Sequence, residues 1–336
     1  MAEALNEDPG FNCAVLSTAD TSLKQQWRAV RKAHVVHTNS TALPLVLLCR
    51  LARKPVLLKL HYPQFRSARD ERNPATPTSR IVREVRRILV DATRERSPRS
   101  AYLGLGRLGL RLIGLHLVTQ VVACSLALAQ STEIYRTVSF LPNPVPALDE
   151  IPGSREVDAA TFCFVGRLVK EKGPQFLLEA ANNLIVEGAA VQVVIAGTGP
   201  LEGELHRRVS ELGIEGNVQM LGKVDHEQIR SIYQQAIALV FPIAWEDPAP
   251  YPPLEAAAEG RVTVACDRGG LPETAGPHAY YFESESVNDL TRAMSDVLRN
   301  PAAALDRGAM AREYAAGHYA PSVSSSLLGQ TLARLA

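Results

Sequence analysis

The segment from residue 161 to residue 173, TFCFVGRLVKEKG, decides the fold class. It joins a run of apolar and β-branched residues, Thr161 to Val165, to a loop that carries glycine and charge. Pro174 follows, at a position where a helix is expected to begin. A short run of this kind is typical of a strand buried on both faces of a parallel sheet. The segment therefore predicts a strand, a loop and a helix, in that order.

The same order recurs three more times before Gly276. The further apolar runs are Val191 to Ile195, Ile237 to Phe241 and Val262 to Cys266. Parallel strands bring the loops that follow them to one edge of the sheet, where open α/β folds bind ligands. These loops offer cations, glycine-permitted backbone approach, helix N-termini and acidic side chains. The combination suits an anionic, hydroxyl-rich ligand such as a nucleotide sugar.

Four segments carry a resemblance to a known family. They are FVGRLVKEKG at 164–173, IAGTGP at 195–200, LEA at 254–256 and GGLPE at 269–273. In this order they closely resemble the donor-binding half of the retaining glycosyltransferases of family four, the group 1 glycosyl transferases. The resemblance implies an α/β chain with the GT-B fold, in which two Rossmann-like domains with parallel sheets face each other across a cleft.

The domain boundary is expected at three prolines within residues 142–146, since proline excludes helix and stiffens the backbone. We predict a first, acceptor-side domain over residues 1–145 and a nucleotide-sugar-binding domain over 146–315. Residues 316–336 are predicted to form a C-terminal helix that crosses back to the first domain. Compared with the family, we expect a truncated first domain, because the family's opening strand, its glycine-rich loop and a helix have no predicted counterpart before Ala33.

The resemblance assigns Arg167 and Lys172 to the diphosphate of the donor. Fixed cations stabilise the negative charge that develops as this group departs. A surface ion pair with Glu171 or another neighbour is the alternative interpretation of either residue. Three glycines of the same loops, Gly166, Gly197 and Gly199, are assigned to donor binding, where they allow close backbone approach; tight turning alone is the alternative.

Two carboxylates are expected at the donor sugar. Glu255 resembles the family residue that holds the ribose hydroxyls, although an acid near a helix N-terminus also stabilises the helix dipole. The family's first acid lies eight positions earlier, which selects Asp247, whereas the residue type expected there selects Glu246. We prefer Asp247 on spacing and keep Glu246 as its rival.

The segment between these acids departs from the family. Ala249 and Pro250 stand where a Phe-Gly pair commonly meets phosphate, and Pro250 has no N–H to donate. Tyr251 and the amides of Ala249 and Leu254 are the predicted substitutes. In the first domain, His61 resembles the family histidine near the reacting carbon of the sugar, and a structural role is its alternative.

Composition agrees with a soluble protein. The 336 residues are 46% hydrophobic and 21% charged. Five scattered cysteines predict small buried hydrophobes in a reducing compartment rather than a zinc site or a disulfide framework. The N-terminal residues lack the order of a secretory signal, which predicts a cytoplasmic protein. Residues 112–129 are apolar, but polar interruptions favour a buried strand over a membrane span.

Charge is divided between the two halves. Residues 1–145 hold 21 Lys and Arg against 10 Asp and Glu, and the remainder holds 15 against 25. Within the basic segment at 66–111, one helical face is predicted to be apolar, with Ile81, Val82, Val85, Ile88 and Leu89, and the opposite face to carry Arg80, Arg83 and Arg87. Packing on its own domain is the plainer expectation for such a helix; peripheral membrane contact or an anionic acceptor is the alternative. The few aromatic residues there argue against a nucleic-acid partner.

The expected activity is transfer of a hexose from a nucleoside diphosphate sugar to an acceptor hydroxyl with retention of configuration. The resemblance implies no metal and no cofactor besides the donor substrate. The acceptor could be a saccharide, a lipid or a small metabolite. A non-catalytic nucleotide-sugar-binding partner subunit or truncated inactive homologue is the alternative from another class, and a GT-B epimerase is a third, for which we find no additional cleft acids and histidines.

Overall fold

The chain folds as two compact units, Met1–Pro144 with Ser322–Ala336, and Val145–Pro321. The computed structural model describes residues 12–15, 20–39, 43–62, 77–94, 98–132, 137–149 and 157–336. The arginines at positions 66, 69, 72 and 96 of the basic segment lie outside these ranges. Each unit is built on a parallel sheet, as the α/β prediction requires.

The first unit is built on a four-stranded parallel sheet in the order β1-β2-β3-β4. The central strand β2 is buried along its whole length, as expected for a strand covered on both faces. A helix at Leu23–Lys32 directly precedes Ala33, where the sequence predicted that a helix is missing. The two predicted strands near His37 and Leu58 are β1 and β2. Their bounds, with those of the helices between and after them, are α1 Leu23–Lys32, β1 Val36–Thr38, α2 Leu43–Leu51, β2 Val56–Leu60, α3 Pro77–Arg94, α4 Pro98–Leu117, β3 Gln120–Ala123, α5 Leu126–Thr132 and β4 Val138–Phe140.

The C-terminal helix packs on this first sheet. Helix α13, Pro321–Leu335, places Leu328 against Leu57, Val122 and Leu141 in one buried cluster. These sheet residues share a face, because Val122 lies diagonally across from Leu57 in the parallel register of β2 and β3. The last helix therefore completes the core of the first unit, although the second unit lies between them in the chain.

The apolar stretch at 112–129 is not one helix. Helix α4 ends at Leu117 and β3 begins at Gln120, so the buried strand that the polar interruptions favour is present. Within the described ranges, none of the helices combines the length and apolar character needed to cross a bilayer.

The second unit is a doubly wound sheet of six parallel strands in the order β10-β9-β8-β5-β6-β7. The chain starts in the middle at β5, adds β6 and β7 on one side, and then returns to lay β8 against β5. Strand order therefore reverses between β5 and β8, which is the position where open sheets of this kind bind ligands. The elements are β5 Asp158–Val165, α6 Pro174–Val186, β6 Gln192–Ala196, α7 Glu202–Leu212, β7 Val218–Gly222, α8 His226–Gln235, β8 Ala236–Phe241, α9 Pro252–Ala258, β9 Val262–Cys266, α10 Leu271–Ala275, β10 Tyr280–Phe282, α11 Val287–Arg299 and α12 Pro301–Tyr319.

The four predicted apolar runs are β5, β6, β8 and β9, each within three residues of its expected start. The outer strands β7 and β10 gave no such run. Residues of β7 are half-buried or exposed, and β10 has only three residues, so neither forms a continuous apolar stretch. Helix α12 runs past residue 315, the predicted end of the donor domain, and belongs to the second unit as far as Tyr319.

The five cysteines all lie in described ranges, form no disulfide, and four are buried. Cys163 and Cys266 lie within strands β5 and β9, where burial raises the pKa of Cys266 to about 11. These thiols are therefore held in the protonated form, as expected of small buried hydrophobes.

Lys59 is a buried cation at the carboxyl end of β2. Its side chain is 1% exposed, and Nζ donates to the backbone oxygen of Pro142 at 2.9 Å. Burial lowers the pKa of Lys59 to about 8, because desolvation disfavours the ammonium. The pKa of Lys59 is therefore higher in the unfolded chain than in the folded one. Below about pH 8 the side chain is charged in both states, and its burial lowers the stability of the folded chain.

Replacing Lys59 by methionine should stabilise the first unit by about 1–2 kcal/mol near neutral pH. Above about pH 8 the folded wild type loses the proton while the unfolded chain keeps it, so wild-type stability rises and the gap closes by about pH 10. Urea unfolding, followed by Trp27 fluorescence in a Trp245→Phe background, measures both quantities. The exposed Lys24→Met is the control, for which we expect no such pH dependence; a gap that stays constant with pH contradicts the prediction.

Candidate functional site

Two loops meet where the strand order of the second sheet reverses. One runs from Gly166 to Gly173 after β5, and the other follows β8 from Pro242 onward. The backbone N–H of Ala244 donates to the oxygen of Glu171 at 2.8 Å. Gly173 has a φ of 73°, and a Cβ there would lie 1.9 Å from the oxygen of Pro242, so only glycine permits this approach. The two loops thus form one continuous surface.

A salt bridge joins the two loops. Nζ of Lys172 donates to Oδ2 of Asp247 at 2.5 Å, and both side chains are largely buried. The same ammonium lies 5.1 Å from the ring centroid of Phe241 and 5.8 Å from that of Trp245, within the range of cation–π attraction. Lys172 and Asp247, predicted separately from the sequence, therefore contact each other directly.

The rival acid has a different partner. Oε1 of Glu246 lies 3.6 Å from Nε of Arg268, whose Nη1 also donates to the oxygen of Ala244 at 2.7 Å and to Glu285 at 2.9 Å. Arg268 follows β9, so it fixes the loop after β8 from the neighbouring strand. Of the two acids, Asp247 contacts the predicted diphosphate cation, and the choice between them as the sugar-binding acid stays a prediction.

The backbone of Asp247 is also held from the β9 side. The N–H of Gly270 donates to its oxygen at 2.7 Å, and Gly269, with a φ of 58°, lies so close that a Cβ would be 2.7 Å from the same oxygen. The aspartate is thus fixed at both its backbone and its carboxylate before any ligand binds. Such fixed geometry favours binding because little order is lost.

The other predicted glycines allow loops to approach each other. A Cβ on Gly197 would lie 1.8 Å from the oxygen of Gly166, and one on Gly199 would lie 2.4 Å from the oxygen of Leu168. The N–H of Leu168 donates to the oxygen of Thr198 at 3.0 Å. Contact between neighbouring loops therefore explains both glycines, and the expected approach of a ligand to them stays a prediction.

Glu255 lies in the first turn of α9, and its hydrogen-bond partner differs from those of Lys172 and Asp247. The hydroxyl of Tyr233, fully buried on α8, donates to Oε2 of Glu255 at 3.1 Å. Burial raises the pKa of this carboxyl, while the hydrogen bond from Tyr233 acts in the opposite direction. The sequence carried no signal for the role of Tyr233, because its position on a helix resembles that of any core aromatic residue.

Arg167 is exposed on the loop after β5. Within the described ranges its guanidinium makes no ion pair, so the alternative pairing with Glu171 is absent there. Both predicted diphosphate cations therefore lie on one loop, Lys172 bound to a carboxylate and Arg167 open to solvent.

The segment around Pro250, which departs from the family pattern, offers fewer N–H donors for a phosphate than expected. Pro250 is buried, and α9 begins with two further prolines at its first positions. The N–H of Leu254 donates to the oxygen of Tyr251 at 2.9 Å, so the predicted phosphate contact from this amide does not fit the ligand-free site. Tyr251 itself is 41% exposed, which leaves its side chain accessible.

In the first unit, His61 follows the carboxyl end of β2, two positions after Lys59. Burial, and next the charge of Lys59, lower the pKa of His61. The same causes, in the same order, lower the pKa of His37 on β1 to about 4, with a smaller effect of His61. His61 is therefore neutral at neutral pH, a form that can donate one hydrogen bond and accept another.

Within the described ranges, no group of three or more His, Cys, Asp or Glu side chains could hold a metal ion. Absence of a catalytic metal stays a prediction from the resemblance.

Residues 150–316 match the family model for glycosyl transferases group 1. The chain belongs to the group 1 glycosyl transferases through this segment. The matched range holds the Lys172–Asp247 pair, Arg167 and Glu255, so the residues on which the sequence resemblance was based lie inside the family domain.

Curated relatives match less than half of this chain. The phosphatidylinositol N-acetylglucosaminyltransferase gpi3 subunit of Schizosaccharomyces pombe is 27% identical over 165 residues, which are 48% of this chain and 36% of the relative. The D-rhamnosyltransferase WbpZ of Pseudomonas aeruginosa is 34% identical over 140 residues, 38% of this chain and 35% of the relative. The chain thus spans about a third of the length of these relatives.

Solved structures extend the likeness in fold to nearly the whole chain. HepE from Anabaena, in complex with UDP, matches with a TM-score of 0.72 and 14% identity over 93% of this chain and 82% of that one. Sucrose-phosphate synthase from Thermosynechococcus elongatus matches with a TM-score of 0.67 and 18% identity over 97% and 82%. These similarities establish the fold of the chain as GT-B.

The Lys172–Asp247 contact should be measurable as a coupling between the two side chains. Lys172→Met and Asp247→Asn should each destabilise the second unit by about 1–3 kcal/mol, because each leaves a largely buried charge without its partner. The double variant should lose about 1 kcal/mol less than the sum. Urea unfolding gives the three values. Lys170→Met, an exposed lysine of the same loop, should change stability by less than about 0.5 kcal/mol; additive effects would contradict the contact.

Proposed function

We propose that the protein transfers a hexose from a UDP-sugar to an acceptor hydroxyl, with retention of configuration and without a metal. The observation that carries the proposal is the Lys172–Asp247 pair, which joins the loops after β5 and β8 at the reversal of strand order. This position is where sheets of this class bind nucleotides. HepE, which shares the fold, was crystallised with UDP and with UDP-glucose, and this supports the choice of donor.

Binding of the diphosphate would change the partner of Lys172. In the ligand-free site its ammonium is held by Asp247; a diphosphate carries more charge and offers more acceptor oxygens. Transfer of Lys172 to the phosphate would release the Asp247 carboxylate for the sugar hydroxyls. Arg167, exposed on the same loop, would supply the second cation, and Glu255 would accept hydrogen bonds from the ribose hydroxyls.

In the proposed reaction the bond from the anomeric carbon to the phosphate oxygen breaks, and both electrons stay on that oxygen. The acceptor oxygen forms the new bond on the same face of the sugar and gives its proton to the departing phosphate oxygen. Lys172 and Arg167 stabilise the charge on the leaving group as it forms. Neutral His61 would orient a sugar hydroxyl, in accordance with its lowered pKa.

A non-catalytic nucleotide-sugar-binding subunit is the second candidate. Pro250 has no N–H, and the N–H of Leu254 is already donated to Tyr251, so phosphate contacts from this segment are fewer than the family pattern implies. The matching relative from Schizosaccharomyces pombe is itself named as a subunit. The acceptor, whether a saccharide, a lipid or a small metabolite, is not specified by either candidate.

We expect UDP binding, measured by calorimetry, to depend on the two cations. Lys172→Ala and Arg167→Ala should each weaken it about 10- to 100-fold, since each removes a charge-assisted contact to phosphate. Lys170→Ala, on the same loop, is the matched control and should leave affinity within about two-fold. Unchanged affinity in both test variants would place the nucleotide elsewhere.

Substitutions of Asp247 and Glu246 should affect donor binding and turnover differently. Asp247→Asn should tighten UDP binding about 3- to 10-fold, because the phosphate no longer competes with a carboxylate for Lys172, and should lower UDP-glucose hydrolysis at least about 100-fold. Glu246→Gln should leave both within about three-fold. The opposite pattern would favour Glu246. Wild-type protein that binds UDP but turns over none of UDP-glucose, UDP-N-acetylglucosamine or GDP-mannose would favour the non-catalytic candidate.

A further inference from the structure

Helices α3 and α4 of the first unit pack side by side. Ile88 of α3 and Leu108 of α4 form a small buried cluster, with partly buried Ile81 and Val85 against it. Gly104 permits this contact, since a Cβ there would lie 2.6 Å from Cγ2 of Ile88. Packing on its own domain, the plainer interpretation of the sequence, thus accounts for one face of α3.

This packing leaves a second set of large apolar side chains exposed. On α3 they recur at helical spacing, seven to eight residues apart, and on α4 they lie between residues 102 and 113, mostly on the side away from Leu108. Tyr102 is 79% exposed and Val82 is 59% exposed. Monomeric soluble proteins rarely expose so many large apolar side chains together. The set comprises Val82, Leu89, Val90, Tyr102, Leu103, Leu105, Leu110 and Ile113.

The charged side chains of α3 and α4 are mostly positive. The described parts of α3 and α4 contain eight arginines and two acids, Glu84 and Asp91. Both acids form salt bridges with Arg87, whose Nη2 lies 2.7 Å from Oε1 of Glu84 and whose Nη1 lies 2.8 Å from Oδ2 of Asp91. Arg86 lies at helical spacing between Val82 and Val90, and Arg99 precedes Tyr102 by one turn. The exposed face is therefore apolar and cationic together.

We propose that this face of α3 and α4 docks on the surface of an anionic phospholipid bilayer. Its apolar side chains would enter the boundary of the acyl chains, and Arg86, Arg94 and Arg99 would lie among the lipid phosphates. Helices with this composition lie in the plane of the interface rather than cross it. The proposal does not depend on sugar transfer, because vesicle binding is measured without turnover.

The chemistry of the face distinguishes a bilayer from other partners. Nucleic acid would pair with the arginines but would leave Leu103, Leu110 and Ile113 in contact with a charged backbone, and Tyr102 is the one aromatic residue of the set. A second copy of the chain would bring two cationic faces together, which is unfavourable. A bilayer with acidic headgroups satisfies both the charges and the apolar side chains.

Co-sedimentation of the full chain with vesicles tests the proposal. Binding is expected to phosphatidylcholine vesicles with about 30% phosphatidylserine and to be at least about ten-fold weaker with phosphatidylcholine alone. Changing Arg86, Arg94 and Arg99 together to glutamine should weaken it at least about 30-fold, given about five-fold for each arginine. The matched control changes Arg207, Arg292 and Arg299, exposed on the second unit, by the same three charges, and should stay within about two-fold.

A second variant tests the contribution of the exposed apolar side chains. Leu103→Gln with Ile113→Gln should weaken vesicle binding at least about ten-fold at unchanged thermal stability, since both side chains are already exposed. Absence of binding to anionic vesicles, equal effects of the two arginine triples, or no effect of the apolar variant would each overturn the proposal. So would single-stranded DNA binding that the arginine triple abolishes and the apolar variant leaves intact, or a dimer that the apolar variant disperses.

Discussion

The second unit depends on the contact between strands β5 and β8, where the winding of the sheet reverses. At the carboxyl ends of these two strands, a glycine without a Cβ lets the following loops touch, and the Lys172–Asp247 salt bridge joins them. A largely buried ion pair is a weak source of stability, because desolvation offsets much of the attraction. It does, however, bring a cation and a carboxylate from two loops together, which the proposed exchange of Lys172 from Asp247 to phosphate requires.

Much of the second unit follows from its sequence. Its four central strands are continuous apolar runs because both faces are covered, and such runs are visible without a structure. The outer strands β7 and β10 were missed for the complementary reason: a half-exposed edge strand does not need an apolar pattern. The family's eight-residue spacing from Glu255 selected Asp247 as a site residue, but its contact with Lys172 comes from the structure alone.

Other features depend on contacts between distant residues. Arg268 binds Glu246 and Glu285 across three segments, and Tyr233 reaches Glu255 from the preceding helix. Neither contact follows from periodicity or local spacing. The hairpin of α3 and α4 shows the same limit, because the sequence predicts a helix with an apolar face but not that Ile88 is buried while Leu89 stays exposed. Only the position of the neighbouring helix decides between them.

The glycine at position 173 has a consequence for how this protein can diverge. Any change to the first or second base of a glycine codon introduces a side chain or ends the chain, and a side chain here would force Pro242 away. A substitution at this position would therefore disturb the junction of the two loops, whereas the side chains of its neighbours Lys170 and Glu171 are exposed and can change without such a clash. Descendants of this gene should keep the same geometry between the two loops while the charges at its rim vary.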